Sequence, residues 1–439
     1  RSAGYRPAAL LLSYRGNEKG MSQKTGTTAR KAAATNEASA PDYRAKMKPF
    51  TSSSAARLLL VTAYLGFISL GLPDTLIGVA WPSVRDFFGR QQSDIAWIFF
   101  GAGASYFVSG LLTGKLLKSF GIGLLLGGSS LLVAASALGY SVAPAWGLFA
   151  ACALLHGLGS GAIDAGLNHY VANHFSPRHM NWLHACYGIG ATLGPLIMTS
   201  MLVSLGSWRA GYATVGALLL ILTGLFIYTR KLWATPGDTT RAASEAEASV
   251  PMLDALKHIG TWAHIALFFI YTGLEVTVGQ WSFTVMTEAR GMTKETAGMW
   301  VTIFWASIAI GRLVFGFIIE WLGIDLLLRL SMLAAVIGTG WFAANLPFSA
   351  GALSLVGLGL ASIYPCLMTR TPQRLGKARA AHAIGFQVSA AMVGAAALPS
   401  ACGWLIASTI VSPARPSRQW RIGRKCSPMI HRPDSGSRK

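Results

Sequence analysis

The sequence predicts an all-α membrane protein built as two successive bundles of transmembrane helices. Three observations predict it. Of 439 residues, 52% are hydrophobic and only 12% are charged, about half the charge of a soluble domain. Eleven segments stay apolar over the ~20 residues that cross a bilayer as a helix. Glycine-centred marks recur in the two halves at a nearly constant offset, as a chain with internal repeats requires.

The eleven expected spans are 57–81, 93–114, 121–140, 145–172, 181–204, 208–229, 259–286, 296–319, 324–344, 348–369 and 381–410. Most connections are short, which makes neighbours antiparallel. Residues 230–258, opening Arg230-Lys-Leu-Trp-Ala-Thr-Pro-Gly-Asp, are polar and divide the spans into six and five. The expected domains are therefore a bundle over 57–229, a cytoplasmic linker over 230–258 and a second bundle over 259–410.

Loop charge sets the orientation. One side holds Lys115, Lys118, Arg178, Arg230, Lys231, Arg241, Lys257, Arg370, Arg374, Lys377 and Arg379, while the other holds Arg85, Arg90, Arg209, Arg290 and Lys294. The bias places the N-terminus in the cytoplasm, and a bacterial inner membrane is the expected location.

Gly71-Leu72 returns as Gly273-Leu274, and Gly114 with Gly121-Ile122 returns as Gly316 with Gly323-Ile324. Gly157-Leu-Gly159 returns as Gly357-Leu-Gly359, and Gly194 is matched to Gly394. Such a repeat asks for six helices in the second half and finds five. The stretch near 411 turns to Ser-Pro-Ala-Arg-Pro-Ser-Arg, so the twelfth span is expected to be missing and 411–439 to be a basic tail of non-native character. The chain opens on Arg1, with Met21 or Met47 the expected native start. Residues 1–56, rich in Thr, Ala, Ser and Lys, are expected to be a disordered cytoplasmic tail.

The formal charge of +20 sits mostly at the ends: residues 1–57 carry 11 Lys/Arg against 3 acids, and 412–439 carry 8 against 1. No zinc-finger or RNA-binding signature accompanies them, which argues for water and lipid head groups rather than nucleic acid. Cys152, Cys186, Cys366 and Cys402 lie in apolar segments without CxxC spacing, so they read as small hydrophobes rather than metal ligands. No Gly-x-x-x-x-Gly-Lys-Ser/Thr motif is present to bind a nucleotide. No cofactor is expected, and no enzyme constellation is legible.

Function is read from the polar residues in the spans. Asp74 lies in Gly71-Leu-Pro-Asp-Thr-Leu, and Asp164 in Leu154–Val171, without Lys or Arg in either segment. An acid near a bilayer centre costs about 2.5–3.5 kcal/mol on insertion scales and reads as a proton- or ion-coupling site. Asp164 and Asn168 are four residues apart and share one helical face. By residue count, Asp74 lies in the outer half of helix one and Asp164 in the inner half of helix four. That stagger suits two acids wetted from opposite sides. Glu275, followed by Gln280 and Trp281, is a third acid within a span. His184 and Tyr187 on helix five and Gln387 on helix eleven are further cavity candidates. Trp81, Trp97, Trp281 and Trp305 are either interfacial anchors or stacking platforms. Glycines 157, 159 and 161, and 188, 190 and 194, permit close helix contact.

These residues resemble the major facilitator superfamily, and within it the fucose-permease-like branch, over about residues 57–410. Asp164, Asn168 and Tyr170-Val171 resemble that branch's acid-plus-Asn pattern, with Asp in place of the usual Glu. Leu72-Pro-Asp74-Thr-Leu76 resembles its Leu-x-Asp-x-Leu segment. The resemblance implies two six-helix repeats, here with eleven helices, and a solute site between the halves. It also implies that Asp74 and Asp164 serve proton coupling. Gly316-Phe-Ile-Ile-Glu320-Trp-Leu-Gly323 resembles the family's Gly-x-x-x-Asp-x-x-Gly signature. With Arg312 it is expected to act as a conformational latch. The first-half counterpart carries Lys118 where the acid belongs.

The expected function is proton-coupled symport of a sugar or other small polar solute by a monomer. A proton-linked exporter is the alternative, since Gly190-Ala-Thr-Leu-Gly194-Pro195 matches part of an exporter motif and lacks its glycine pair. A non-transporting truncated or sensor-type product is the third.

Overall fold

The structure, a computed structural model, describes residues 54–175, 177–233, 256–375 and 377–411. The expected start, the tail over 1–53, most of the linker and the tail from 412 lie outside the described residues. The helices are α1 (Ser54–Asp74), α2 (Leu76–Phe88), α3 (Ala96–Val142), α4 (Trp146–His174), α5 (Pro177–Ser204) and α6 (Trp208–Thr229). The second half holds α7 (Ile259–Thr284), α8 (Lys294–Ala343), α9 (Ala352–Ala361), α10 (Ile363–Leu375) and α11 (Lys377–Val411). Among the described residues, nine helical stretches are long and apolar enough to cross a membrane.

Two of the nine are longer than a bilayer needs. α3 has 47 residues and α8 has 50, about 70–75 Å of helix at 1.5 Å per residue. Each breaks at a glycine: Gly121 has φ 71° and ψ 162°, and Gly323 has φ 72° and ψ 159°. That left-handed, extended combination is open to glycine and closed to residues with a Cβ. The chain folds back there, as α4 shows. Gly157 packs on Ala102 and Ser105 of the first arm of α3, and Gly159 packs on Ser129 and Val133 of the second. Those α3 residues lie far apart in sequence, yet they meet α4 at one level, on opposite sides of it. The chain therefore doubles back, with α4 packed between the two arms.

The second half repeats this packing. Gly357 meets Phe304 and Ser307 in the first arm of α8, and Gly359 meets Ser331 and Ala335 in the second. The partners are shifted by the same interval that relates Gly121 to Gly323. One expected pair does not correspond. Gly194 meets Leu72 and Thr75, whereas Gly394 meets Phe269. Gly190, which meets Ile68, is the nearer counterpart of Gly394, because helix eleven is offset by a turn relative to helix five.

These contacts leave no room for side chains. A Cβ at position 159 would lie 2.5 Å from the Ser129 carbonyl oxygen and 2.6 Å from Val133. Gly159→Val is expected to lower stability by about 1–3 kcal/mol, the cost of overpacking a close helix contact. Gly359→Val is expected to match it. Thermal melting in detergent measures both, and two unshifted melting temperatures would contradict the packing.

Proline breaks the helix that carries the first acid. Pro73 cannot donate a backbone hydrogen bond and clashes with the preceding turn. The chain turns at Thr75, and α2 begins at Leu76. The Thr75 hydroxyl donates to the Ala191 carbonyl on α5 at 3.0 Å. The break and this tether fix Asp74 at the end of α1. The second half has a parallel device at Ser362, between α9 and α10, whose hydroxyl donates to Ser331 at 2.6 Å.

Candidate functional site

A cavity of about 1480 Å³ lies between the halves. α1, α3, α4 and α5 line one wall, and α7, α8, α10 and α11 the other. At the end where the chain reverses at Gly323, the cavity reaches Phe317, Glu320 and Ile324. At the opposite end the halves touch: a Cβ on Gly78 would lie 2.6 Å from the Gly279 carbonyl oxygen. Gly403 of α11 abuts the Gln92 carbonyl and the Trp281 ring there. The cavity is closed at that end.

Asp74 and Asp164 both line the cavity, each with its own partners. Asp74 Oδ1 is 2.8 Å from His156 Nε2, and its Oδ2 accepts from the Tyr187 hydroxyl at 3.0 Å. Asp164 Oδ2 accepts from the Tyr106 hydroxyl at 2.6 Å, and its Oδ1 accepts from Asn168 Nδ2 at 2.9 Å. His156 precedes Asp164 by two turns of α4, so the acids stand about 12 Å apart along that helix. The depth difference comes from the helix directions, as the residue count anticipates.

His156, Ser160, Asp164 and Asn168 recur every fourth residue and all line the cavity. The spacing marks one polar stripe along α4. Sequence reasoning found the last two and missed the first two, although the i, i+4 signal runs through all four. Tyr106, which holds Asp164, was missed because it comes from the first arm of α3 and nothing local links it to α4.

On the facing wall, Glu275 Oε1 accepts from Arg312 Nη2 at 3.3 Å, and the same nitrogen is 3.3 Å from the Tyr271 hydroxyl. Arg312 thus neutralises a buried acid within the cavity. The sequence grouped Arg312 with Gly316, Glu320 and Gly323 as a latch; in this structure its ion-pair partner is Glu275. Glu320 is exposed at the open end, Gly316 lines the cavity with open space around its Cα, and Gly323 is the reversal point of α8. The ion pair formed near Gly323 joins Asp325 to Arg370 of α10 instead.

Gln280 is 3% exposed and lines the cavity, and neither its Nε2 nor its Oε1 has a protein partner. Trp305 Nε1, Ser160 Oγ and Thr272 Oγ1, also on the cavity wall, are likewise buried and unpartnered. The Trp305 ring rests against Gly279, beside Gln280. Buried polar atoms without partners cost about 1–3 kcal/mol each unless something hydrogen-bonds to them. His184 and Tyr187 line the cavity, with the His184 ring edge-on to Phe67 at 5.3 Å. Gln387 does not. It is fully buried between helices, 3.1 Å from His264 Nδ1 and bonded to the Thr371 hydroxyl. That triad joins α7, α10 and α11, so Gln387 is a packing residue. Trp81 and Trp281 are also internal: their indole nitrogens donate to Gln92 and to the Pro399 carbonyl. Trp97 is exposed on the outer surface. Cys152, Cys186, Cys366 and Cys402 are free thiols.

Comparison with known proteins fits this architecture. The glucose/mannose transporter GlcP of Bacillus subtilis is 23% identical over 325 residues, covering 70% of this chain and 78% of the relative. The sodium-dependent glucose transporter 1 of Danio rerio is 25% identical over 385 residues, covering 77% of this chain and 63% of the relative. Bypass of stop codon protein 6 of Saccharomyces cerevisiae is 22% identical over 288 residues, and the match spans just 57% of that protein's length. The crystal structure of a D-xylose-proton symporter shares the fold, with a TM-score of 0.62 at 16% identity over 79% of this chain and 90% of the symporter. The family model of the Major Facilitator Superfamily matches residues 63–399. With that match over most of its length, and with apolar helices long enough to cross a bilayer, this chain is an integral membrane protein that belongs to the Major Facilitator Superfamily.

Proposed function

We propose that the chain is a secondary active transporter that couples proton movement to symport of a small polar solute, a sugar being the best fit. The observation that carries the reading is the cavity between the halves, whose wall holds Asp74, Asp164 and buried hydrogen-bonding groups without protein partners. Asp164 and Asp74 are the proton-binding groups in this reading. Gln280, Trp305, Ser160 and Thr272 bind the solute, with Asn168, Tyr187 and His184 completing the wall. A Gln amide offers a donor and an acceptor side by side, which matches adjacent hydroxyls of a sugar ring. An indole beside it adds an apolar face with one donor. The sugar transporters among the relatives support this class of solute.

The charge bias of the loops supports a cytoplasmic N-terminus. The cavity then opens inward, and access alternates as the halves rock about it. Uptake into proteoliposomes under an imposed pH gradient tests the reading, with D-glucose and D-xylose as probes and an internal pH dye as the second readout. Solute and proton entering together is the expected result. Solute leaving as protons enter would replace symport with export. Uptake that ignores the gradient would remove proton coupling.

A further inference from the structure

We propose that Arg85 and Glu288 form the lock that holds the cavity shut at its closed end, and that this lock opens when access passes to that side. The proposal rests on the alternating-access reading above and adds the device that biases which side is open.

Arg85 lies in the last turn of α2, and Glu288 lies in the π-helical turn Val285–Ala289 that follows α7. One residue comes from each half. Arg85 Nη1 donates to Glu288 Oε2 at 3.2 Å, and Nη2 donates to Oε1 at 3.0 Å. Two parallel bonds between a guanidinium and a carboxylate fix orientation as well as distance. Gln92 Nε2 also donates to Glu288 Oε2 at 3.3 Å, while Gln92 Oε1 accepts from the fully buried Trp81 Nε1 at 2.8 Å. Glu288 is thereby tied to the frame of the first half through two routes. Among ion pairs between described residues, this one alone joins the halves. Asp74–His156 lies within the first half, and Glu275–Arg312 and Asp325–Arg370 lie within the second.

The pair is built to open. Arg85 Nη2 also donates to Asp86 Oδ1 at 2.7 Å, and its Nε donates to the same oxygen at 3.0 Å. When the halves part, Arg85 keeps a carboxylate on its own helix and no cation is stranded. Glu288, with a side chain already 37% exposed, passes into water. A pair at this exposure contributes a modest free energy, which biases an equilibrium between two states rather than fixing one. The π-helical turn suits the role, since such turns break helix regularity at functional positions. Below the lock, the contact of Gly78 with Gly279 lets the backbones meet without side chains between them.

Spin labels at Leu205→Cys in the first half and Lys294→Cys in the second, both exposed at the closed end, report the gap by double electron–electron resonance. The full chain is used, with its native cysteines replaced by Ala, and monodispersity on gel filtration checks the fold. Arg85→Gln and Glu288→Gln are each expected to raise the ratio of long to short distances about two- to fivefold, the size of a partly exposed ion pair. The double variant is expected to go no further, because both changes remove the same bonds. Glu288→Asp, which keeps the charge and shortens the reach, is expected to shift the ratio in the same direction. Single variants with the parent's distances would overturn the lock. So would a double variant whose effect is the product of the two singles. Solute uptake plays no part in this readout, so failure of the transport reading would show separately.

Discussion

Replacing Asp164 by Asn is expected to lower pH-gradient-driven solute accumulation about a hundredfold, the lower end of what a positioned proton-transfer group contributes. Solute exchange between equal concentrations is expected to stay within about twofold, because exchange needs no net proton movement. The substitution is nearly isosteric. Asn keeps an acceptor for Asn168 Nδ2, and its amide can donate to the Tyr106 hydroxyl that now donates to Asp164. The side chain therefore stays seated while losing the capacity to bind a proton. Accumulation and exchange measured on the same proteoliposomes separate coupling from solute binding. Full gradient-driven accumulation in the Asn variant would remove Asp164 from the coupling role.

The second large effect is on stability. Glu275 and Arg312 face each other inside the protein, with side chains 9% and 20% exposed. Removing one partner of such a pair leaves a buried charge without its counter-ion, which costs about 3–5 kcal/mol. Glu275→Ala is expected to destabilise by that amount, because the Arg312 guanidinium loses its carboxylate and keeps only Tyr271. Glu275→Leu combined with Arg312→Met is expected to be much milder, since no uncompensated charge remains. Melting temperatures in detergent, followed by tryptophan fluorescence, test the contrast. A double variant as unstable as Glu275→Ala would mean that charge compensation is not what the pair provides.

Polar residues in apolar runs made much of the site legible. Asp74, Asp164, Asn168, Glu275, Gln280, His184 and Tyr187 all line the cavity, and each stood out because a polar group inside a span needs a reason. Gln387 stood out for the same cause and proved to be a packing residue, since a buried hydrogen-bonded triad satisfies the same rule as a cavity wall. Arg312 was legible as unusual, but its partner across helices was not. Its proximity in sequence to Glu320 suggested a latch, whereas the helix rotation turns it toward Glu275 on α7. His156 and Ser160 were readable from the i, i+4 stripe and were overlooked. Tyr106 and the Arg85–Glu288 pair had no local signal at all.

The membrane class and the apolar stretches able to cross a bilayer follow from the chain alone. Length, hydropathy and rise per residue suffice for those. Gly121 and Gly323 stood out in the chain as repeat marks, and the structure shows the long helices reversing at both. Only the tertiary structure decided which way each helix faces and which polar groups meet. The physical reason lies in the solvent. In water, a helix shows its buried face by contrast with a polar one. In a bilayer, the lipid-facing and protein-facing sides are both apolar, so the pattern along the chain carries little rotational information. Rotation is then set by close glycine contacts and by hydrogen bonds such as Tyr106 to Asp164, made between residues far apart in the chain.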